Sequence, residues 1–257
     1  MLFKDNWQGE VYRIFYDFLK SKKEKIQEIF NWERYKRQNP FHATLIDDPK
    51  FWKACKIERS FVTALGQSVY EDIALAISKY LYKNAEKGFT YTSSIDNEVY
   101  KRINTVIREL NEGKRRPNWE NEINYIRKFK DNKNTKIDLK ITMDLYIEKF
   151  KNDLPFYAEI KSPKPNKDQC METKLKLFRV FFSDNWEGDN IFFAFPFNPY
   201  LTRDKYNHPH IKAIFEIPTS PWILMGEEFW DLLGGKGTFK KILELADKAS
   251  DNINLLE

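Results

Sequence analysis

The stretch KIDLKITMDLYIEKFKNDLPFYAEIKSPKPN, residues 136–166, decides the fold of this chain. Apolar, β-branched and aromatic residues fill its first and third parts, as in β-strands, and a polar segment separates them. The pattern predicts an antiparallel hairpin of strands 137–147 and 155–161 that turns near residues 151–152. The break SPKPN ends the second strand, because proline donates no hydrogen bond to a strand ladder.

Three charged side chains of this hairpin are predicted to meet. Glu159 and Lys161 are two apart on a strand and so point to the same face. With the predicted turn, Asp144 falls opposite Glu159, and directly opposed side chains are about 5 Å apart. The two carboxylates, with the backbone carbonyl of Ile160, can hold Mg²⁺. Lys161 would offset charge on a phosphodiester under attack or orient the attacking water, so the pattern indicates a phosphodiester-hydrolysing site.

The Asp/Glu-x-Lys spacing alone is weakly specific. Six such triplets occur in the chain, and only Asp138–Lys140 and Glu159–Lys161 lie in strand-like sequence. Only the second has an acidic residue, Asp144, across a hairpin. A surface strand with cross-strand ion pairs remains the alternative. Glu71, on the predicted helix before the sheet, could add an acid to the metal site, and a plain surface glutamate is an equally open reading.

The other segments predict helices around a sheet. Residues 86–96 read as a polar turn. The remaining elements are helices at 11–38 (ending near Pro40), 58–82, 97–111 and 167–182, strands at 190–198 and 211–217, and two closing helices, EEFWDLL and FKKILELADKA. This order predicts an α/β fold of the α+β type, with a central mixed sheet flanked by helices.

The simplest domain division is a single domain over residues 1–257. Its core would consist of residues 58–92 and 135–257. An N-terminal helical arm (1–50) and a basic insertion (95–130) would be added to that core.

Composition excludes several classes of protein. With 42% apolar and 16% aromatic residues in 257, the chain is too apolar for a disordered protein. No apolar run reaches the roughly 20 residues of a membrane helix, and the N-terminus lacks the order of a signal peptide. Two cysteines, Cys55 and Cys170, are too few for a disulfide framework. We expect a cytoplasmic protein of a bacterium or archaeon, with no membrane partner.

Positive charge is concentrated in one window. Residues 101–140 carry a net charge of +6, whereas the whole chain carries +5. A basic stripe suits a polyanion such as nucleic acid, although a solvated lysine-rich surface fits equally. The side chains expected to contact DNA share a basic or amide group, and they lie in this window and in the loops after the second and third predicted strands: Lys114, Arg115, Arg116, Lys164, Asn166, Lys167, Arg203, Lys205 and Asn207.

Asp144 followed by Glu159-x-Lys161 resembles the PD-(D/E)XK nuclease signature, with Met143 where that signature often has proline. The blocks LGQSVYEDIA, EIKSPKPNKDQ, IFFAFPFNPY and GEEFWDLLGGKGTFKKILELA resemble type II restriction endonucleases, with the TdeIII-like group as the nearest match. The similarity covers residues 58–85 and 140–250. The segments 1–50 and 95–130 match nothing recognisable.

The resemblance implies a restriction-endonuclease-like fold and a type II site-specific deoxyribonuclease. Asp144 and Glu159 would bind Mg²⁺, for which Mn²⁺ could substitute, Lys161 would be the catalytic lysine, and Glu71 the supporting acid of the helix. The enzyme would be a homodimer that cuts both strands of double-stranded DNA at a short palindrome of GGNCC type. It would belong to a restriction-modification system, with a methyltransferase as its functional rather than physical partner.

Two rival functions stay open at this point. One is a non-catalytic nucleic-acid-binding protein in which Asp144, Glu159 and Lys161 form a structural ion-pair group. The other keeps the PD-(D/E)XK chemistry and acts in DNA repair.

Overall fold

The computed structural model describes residues 6–28, 30–130, 135–186, 188 and 190–253. Residues 131–134 of the basic window are therefore outside the described part. The chain divides into two compact units, Met1–Ile73 with Lys241–Glu257, and Ala74–Lys240.

The second unit contains a five-stranded sheet in the order β1-β2-β3-β4-β5. The strands are β1 (Lys83–Asp96), β2 (Lys136–Lys149), β3 (Phe156–Ile160), β4 (Ile191–Phe195) and β5 (Ile223–Met225). β1, β2 and β3 are antiparallel, and β3, β4 and β5 are parallel. β3 and β4 are buried along their whole length, as strands covered on both faces are. The predicted mixed sheet with flanking helices is confirmed.

Five helices belong wholly to this unit: α6 (Asn97–Asn111), α7 (Trp119–Arg127), α8 (Lys167–Phe181), α9 (Pro209–Ile214) and α10 (Glu227–Gly234). α6 buries one stripe with three- and four-residue spacing, namely Val99, Ile103, Val106 and Leu110. With Ile123 and Ile126 of α7, this stripe joins the hydrophobic core that also contains Phe193 and Phe195 of β4. The basic segment 95–130 is thus built into the core.

The first unit is helical. It contains α1 (Trp7–Gln27), α2 (Trp32–Gln38), α3 (Pro40–Leu45) and α4 (Pro49–Ala64), followed by a π-helical segment at Leu65–Val69. The boundaries between the units fall within α5 (Tyr70–Leu81) and α11 (Thr238–Asp251). Asp48 caps α4 by accepting from the Lys50 and Phe51 amides, and Pro49 occupies the first turn, where a missing N–H costs nothing.

Three predicted elements are wrong. Residues 86–96 belong to β1 and do not form a turn; Glu86, Lys87, Thr90 and Thr92 are exposed, while Ser93, Ile95 and Asp96 are buried. Residues 211–217 do not form a strand, because Pro209 starts helix α9, whose Ile211 and Ile214 face the core. The single helix expected at 11–38 is divided into α1 and α2, between Gln27 and Trp32.

A fully buried ion pair joins α7 to α8. Lys174 Nζ lies 2.6 Å from Glu122 Oε2, and both side chains are 1% exposed. The same ammonium donates a 2.7 Å hydrogen bond to the Ile214 carbonyl of α9. Burial lowers the pKa of Lys174 to about 8 against the opposing effect of Glu122, and burial raises the pKa of Glu122. Three helices therefore share one buried cation.

Among the described helices, none has the length and apolar character needed to cross a bilayer.

Candidate active site

The β2–β3 hairpin positions the predicted catalytic residues. Its register pairs Leu145 with Ala158, and Tyr146 with Tyr157. The next step of this register places Asp144 across from Glu159. The turn consists of a 3-10 segment, Lys151–Asp153, close to the predicted position.

Asp144, Glu159 and Lys161 meet at the end of this hairpin. Lys161 Nζ lies 2.8 Å from Asp144 Oδ2 and 2.8 Å from Glu159 Oε1. The Ile160 amide also donates to Asp144 Oδ2, at 2.8 Å. The structure thus brings together the three side chains that the spacing predicts to converge, with one ammonium between two carboxylates.

Burial differs sharply within this group. The Glu159 side chain is 1% exposed, whereas those of Asp144 and Lys161 are 19% and 25% exposed. Burial, and then the charge of Asp144, raise the pKa of Glu159 against the opposing effects of Lys161 and Lys176. Burial alone would lower the pKa of Lys161, but Glu159 and Asp144 outweigh it and raise that pKa above its ordinary value. Lys161 is therefore protonated at neutral pH and acts as a cation and hydrogen-bond donor.

Sequence reasoning assigned no site role to Lys176, a second lysine at this position. Its Nζ lies 2.8 Å from Glu159 Oε1, and it reaches the site from α8, the helix that follows the active strand. Glu172, one turn earlier on α8, lies 3.7 Å from the same ammonium. A signal was present, because Lys176 lies three residues after Thr173 and four before Val180, both of which are buried on α8.

The site offers oxygen ligands that fit a divalent cation. Glu159 Oε1 is shared by two lysines, whereas Glu159 Oε2 is buried and has no hydrogen-bond partner among the described residues. A buried, unpaired carboxylate oxygen beside a second carboxylate is a donor set that Mg²⁺ prefers. No group of three or more His, Cys, Asp or Glu side chains that could together hold a metal ion occurs within the part of the chain that the structure describes. Asp144, Glu159 and the Ile160 carbonyl would therefore form the protein's share of such a site.

The two loops expected to contact DNA lie against each other beyond the carboxyl ends of β3 and β4. The Tyr206 hydroxyl donates to the Pro163 carbonyl, and His208 Nε2 lies 2.8 Å from the Pro165 carbonyl oxygen. Lys164 is exposed and lies over the Tyr200 ring, 5.9 Å from its centroid. These contacts join the loop after β3 to the loop after β4.

The other residues of these loops that are predicted to contact DNA differ in whether they already form hydrogen bonds within the protein. Asn166 caps α8 in a reciprocal capping box with Gln169. Lys167 Nζ donates to the Asn111 carbonyl at 2.6 Å, which places the end of α6 beside the start of α8. Lys205 and Asn207 are exposed, and Asn207 Oδ1 accepts a 3.0 Å hydrogen bond from Lys212.

Arg203 is committed to contacts within the protein. Its guanidinium pairs with the Glu228 carboxylate and donates to the carbonyls of Ile217, Ser220 and Ile223. These bonds use Nε and both terminal nitrogens of the guanidinium.

The remaining predicted residues lie on other elements of the chain. Lys114 and Arg116 are exposed in the loop after α6, where Lys114 pairs with Glu112. Arg115 is more enclosed and pairs with Glu109 at 2.7 Å. Glu71 is half-buried on α5 and belongs to the first unit.

Comparison with known proteins agrees with this geometry. A family model described as "Type II restriction endonuclease, HinfI" matches residues 3–250. The type II restriction enzyme HgiCII of Herpetosiphon aurantiacus is 28% identical over 211 residues, which cover 80% of this chain and 75% of that enzyme. The type II restriction enzyme MjaII of Methanocaldococcus jannaschii is 25% identical over 236 residues, covering 81% and 62%. No solved structure matches the chain.

These matches confirm the resemblance to type II restriction endonucleases and favour an enzyme over a non-catalytic nucleic-acid-binding protein. The matching group is HinfI, whereas the sequence blocks pointed to the TdeIII-like group. The chain belongs to the HinfI family of type II restriction endonucleases, the site-specific deoxyribonucleases that act on DNA.

Proposed function

We propose that this enzyme hydrolyses phosphodiester bonds of double-stranded DNA in a Mg²⁺-dependent reaction, with Asp144, Glu159 and Lys161 as its catalytic centre. The observation that carries the proposal is the shared ammonium of Lys161, 2.8 Å from a carboxylate oxygen of each acid. Asp144, Glu159 and the Ile160 carbonyl would hold the cation, and Mn²⁺ would substitute for Mg²⁺. Glu71 would support the site from its helix.

Each side chain has a distinct task in this proposal. The chemistry supplied by Mg²⁺ bound there is polarisation of the phosphoryl oxygens and acidification of water. Lys161 has three N–H donors, of which two serve Asp144 and Glu159, so the third can donate to a phosphate oxygen as negative charge develops on it. In this proposal Lys161 acts as a protonated ammonium that stabilises the developing charge.

The DNA contacts are proposed for the loops at the same end of the sheet. Lys164, Asn166, Lys167, Lys205 and Asn207 would contact bases or phosphates, and Lys114, Arg115 and Arg116 would contact the backbone. The hydrogen bonds between the loops after β3 and β4 support one continuous contact surface. We further propose a homodimer that cuts a short palindrome, of GGNCC type by the sequence resemblance, because two-fold symmetry in the protein matches two-fold symmetry in the site.

The proposal also includes a biological setting. A cytoplasmic enzyme of a restriction-modification system would act beside a methyltransferase that protects the host's own sites. A nuclease of the same chemistry that served DNA repair would need no such methyltransferase.

A digest of a long DNA of known sequence tests the proposed function. With Mg²⁺, we expect discrete fragments whose mapped ends share one short sequence, and no fragments in EDTA. Cutting confined to junctions, flaps or damaged positions would instead support the repair function. A protein that cuts no DNA with either Mg²⁺ or Mn²⁺ would contradict the proposed reaction.

Replacement of Lys176 should slow cleavage without abolishing it. Lys176 contacts Glu159 through Oε1, so we assign it a positioning role: it holds the carboxylate so that Oε2 stays open. We expect Lys176→Met to require more Mg²⁺ or to lower kcat, by about 10- to 100-fold, as for other residues that orient a metal ligand.

Lys176→Arg should recover most of this loss, because the guanidinium can still donate to Glu159. Glu172→Gln is the matched control, since Glu172 touches only the outer side of Lys176. Equal rates for Lys176→Met and the wild type, over the whole Mg²⁺ titration, would show that Lys176 has no role in the site.

A further inference from the structure

A basic cavity lies between α1 and α4 in the first unit, remote in sequence from the catalytic hairpin. It consists of two adjacent pockets of about 100 and 370 Å³ that share Lys22, Lys25, Lys56 and Ser60. Lys53 lines the smaller pocket and Arg59 the larger one. We refer to this pair of pockets, with its five basic residues, as the arm cavity.

The positive charge of the arm cavity is not neutralised. Within the described residues, none of its five basic side chains has a carboxylate within 4.0 Å, in contrast to surface pairs such as Lys36–Glu33 and Lys101–Glu98. Glu28 is the single acidic residue among the side chains that line the described cavity, and it lies at the smaller pocket. Five cations around one concave surface repel one another unless an anion lies among them.

Lys22 forms the floor of the cavity and is only 5% exposed. Its ammonium donates to the Ser60 carbonyl at 2.8 Å and to the Ser60 hydroxyl at 2.9 Å. Both acceptors are neutral, and the same ammonium lies over the Phe18 ring, 5.4 Å from its centroid, so no carboxylate is among its described partners. Burial, and then the charge of Lys25, lower the pKa of Lys22. An ammonium whose hydrogen-bond acceptors are neutral keeps its full positive charge, which attracts a nearby anion.

The side chains that line the arm cavity favour a phosphate group over a nucleobase as the ligand. Lys25, Lys56 and Arg59 are exposed on the rim, where they can reach successive anionic groups. Among the described residues, the neutral polar side chains of the lining are those of Ser60, Thr63 and Gln67. Cationic donors of this kind contact the nucleic-acid backbone and carry little sequence information.

We propose that the arm cavity is a second DNA-binding site, which holds backbone phosphates of the duplex independently of base sequence. The proposal rests on the proposed function, because it takes double-stranded DNA as the ligand. It gives the N-terminal helices a role in affinity, apart from cleavage and from the choice of sequence.

The test compares two triple variants of the full-length chain that remove equal charge. Lys25→Ala/Lys56→Ala/Arg59→Ala removes the rim of the arm cavity. Lys20→Ala/Arg37→Ala/Lys50→Ala removes three exposed cations of the same helical unit that line neither pocket. Binding to a short duplex of random sequence is measured in EDTA over a range of salt concentrations, with Lys161→Ala as a further reference.

For the cavity variant, we expect the slope of log K against log salt to flatten by about one unit for each phosphate that the protein no longer neutralises. The control variant should keep a slope close to that of the wild type. Equal slopes for the two triple variants would overturn the proposal. Circular dichroism checks that both variants are folded, and a Gln version of the cavity variant, which retains side-chain length, replaces the Ala version if that one is unfolded.

The outcomes separate this inference from the proposed function, because no cleavage occurs in EDTA. A flattened slope in a protein that never cuts DNA would refute the proposed reaction and leave the arm cavity as a DNA-binding site. Mg²⁺-dependent cutting, together with equal salt slopes for the two triple variants, would support the proposed reaction and refute the arm cavity as a DNA-binding site.

Discussion

Lys161→Ala should reduce cleavage by at least about a hundredfold while its affinity for DNA stays within a few-fold of the wild type. The ammonium of Lys161 is the cation that both carboxylates share, and its third N–H is the donor proposed for the developing phosphate charge. Duplex binding depends mainly on many backbone contacts, of which this is one. Cleavage rates at saturating Mg²⁺ and binding in EDTA measure the two quantities separately.

Lys140→Ala is the matched control for this experiment. Lys140 also ends an Asp-x-Lys triplet on a strand, with Asp138, but it is exposed, and Asp138 accepts from Ser94. We expect the control to cut at the wild-type rate. Comparable reductions in both variants would mean that the effect is one of general charge, and unchanged cleavage in Lys161→Ala would remove Lys161 from the catalytic centre.

Lys174→Met should lower the free energy of unfolding by about 3–5 kcal/mol, the usual cost of leaving a buried charge without its partner. Glu122 is 1% exposed, and Lys174 is the cation that neutralises it. Because burial, not pairing, dominates both pKa shifts, Glu122→Met/Lys174→Met should recover most of that stability. Chemical denaturation measures the free energy of unfolding of the wild type and of the single and double variants.

The pH dependence of stability supplies a second readout for Lys174. Its pKa is about 8 in the folded protein and near 10.5 in the unfolded chain. Between these values the unfolded state binds more protons, so this lysine makes the folded state more stable as pH rises. The Lys174→Met variant should lack this increase in stability with rising pH. Arg115 and Glu216 act on Lys174 as well, and both remain in the variant. If the single and double variants were equally unstable, the ion pair would not be the cause.

The geometry of the candidate active site was predictable because it is local. A two-residue spacing on one strand and a turn of known position fix Asp144, Glu159 and Lys161 within a hairpin. Lys176 was not predictable by this route, since its contact with Glu159 depends on how α8 packs against β3. Nothing in the spacing of the two residues along the chain encodes that packing.

The wrong predictions of secondary structure also concern features that are not encoded by local spacing. β1 pairs with β2 along its whole length, although about 40 residues of α6, α7 and their loops separate them in sequence. Glu86, Lys87, Thr90 and Thr92 are exposed polar residues, so the segment alone resembles a turn. For α9, the apolar run at 211–217 favours a strand locally, and the decisive residue is Pro209, which suits the first turn of a helix.

The internal bonds of Arg203 have a practical consequence for attempts to alter sequence preference. They fasten the segment after β4 to β5 and to α10, so this segment keeps its shape when its tip is changed. Libraries that randomise Lys205 and Asn207 while retaining Arg203 and Glu228 would vary the exposed side chains and leave the backbone of the segment in place. Randomising the arginine as well would mix folding defects with new preferences.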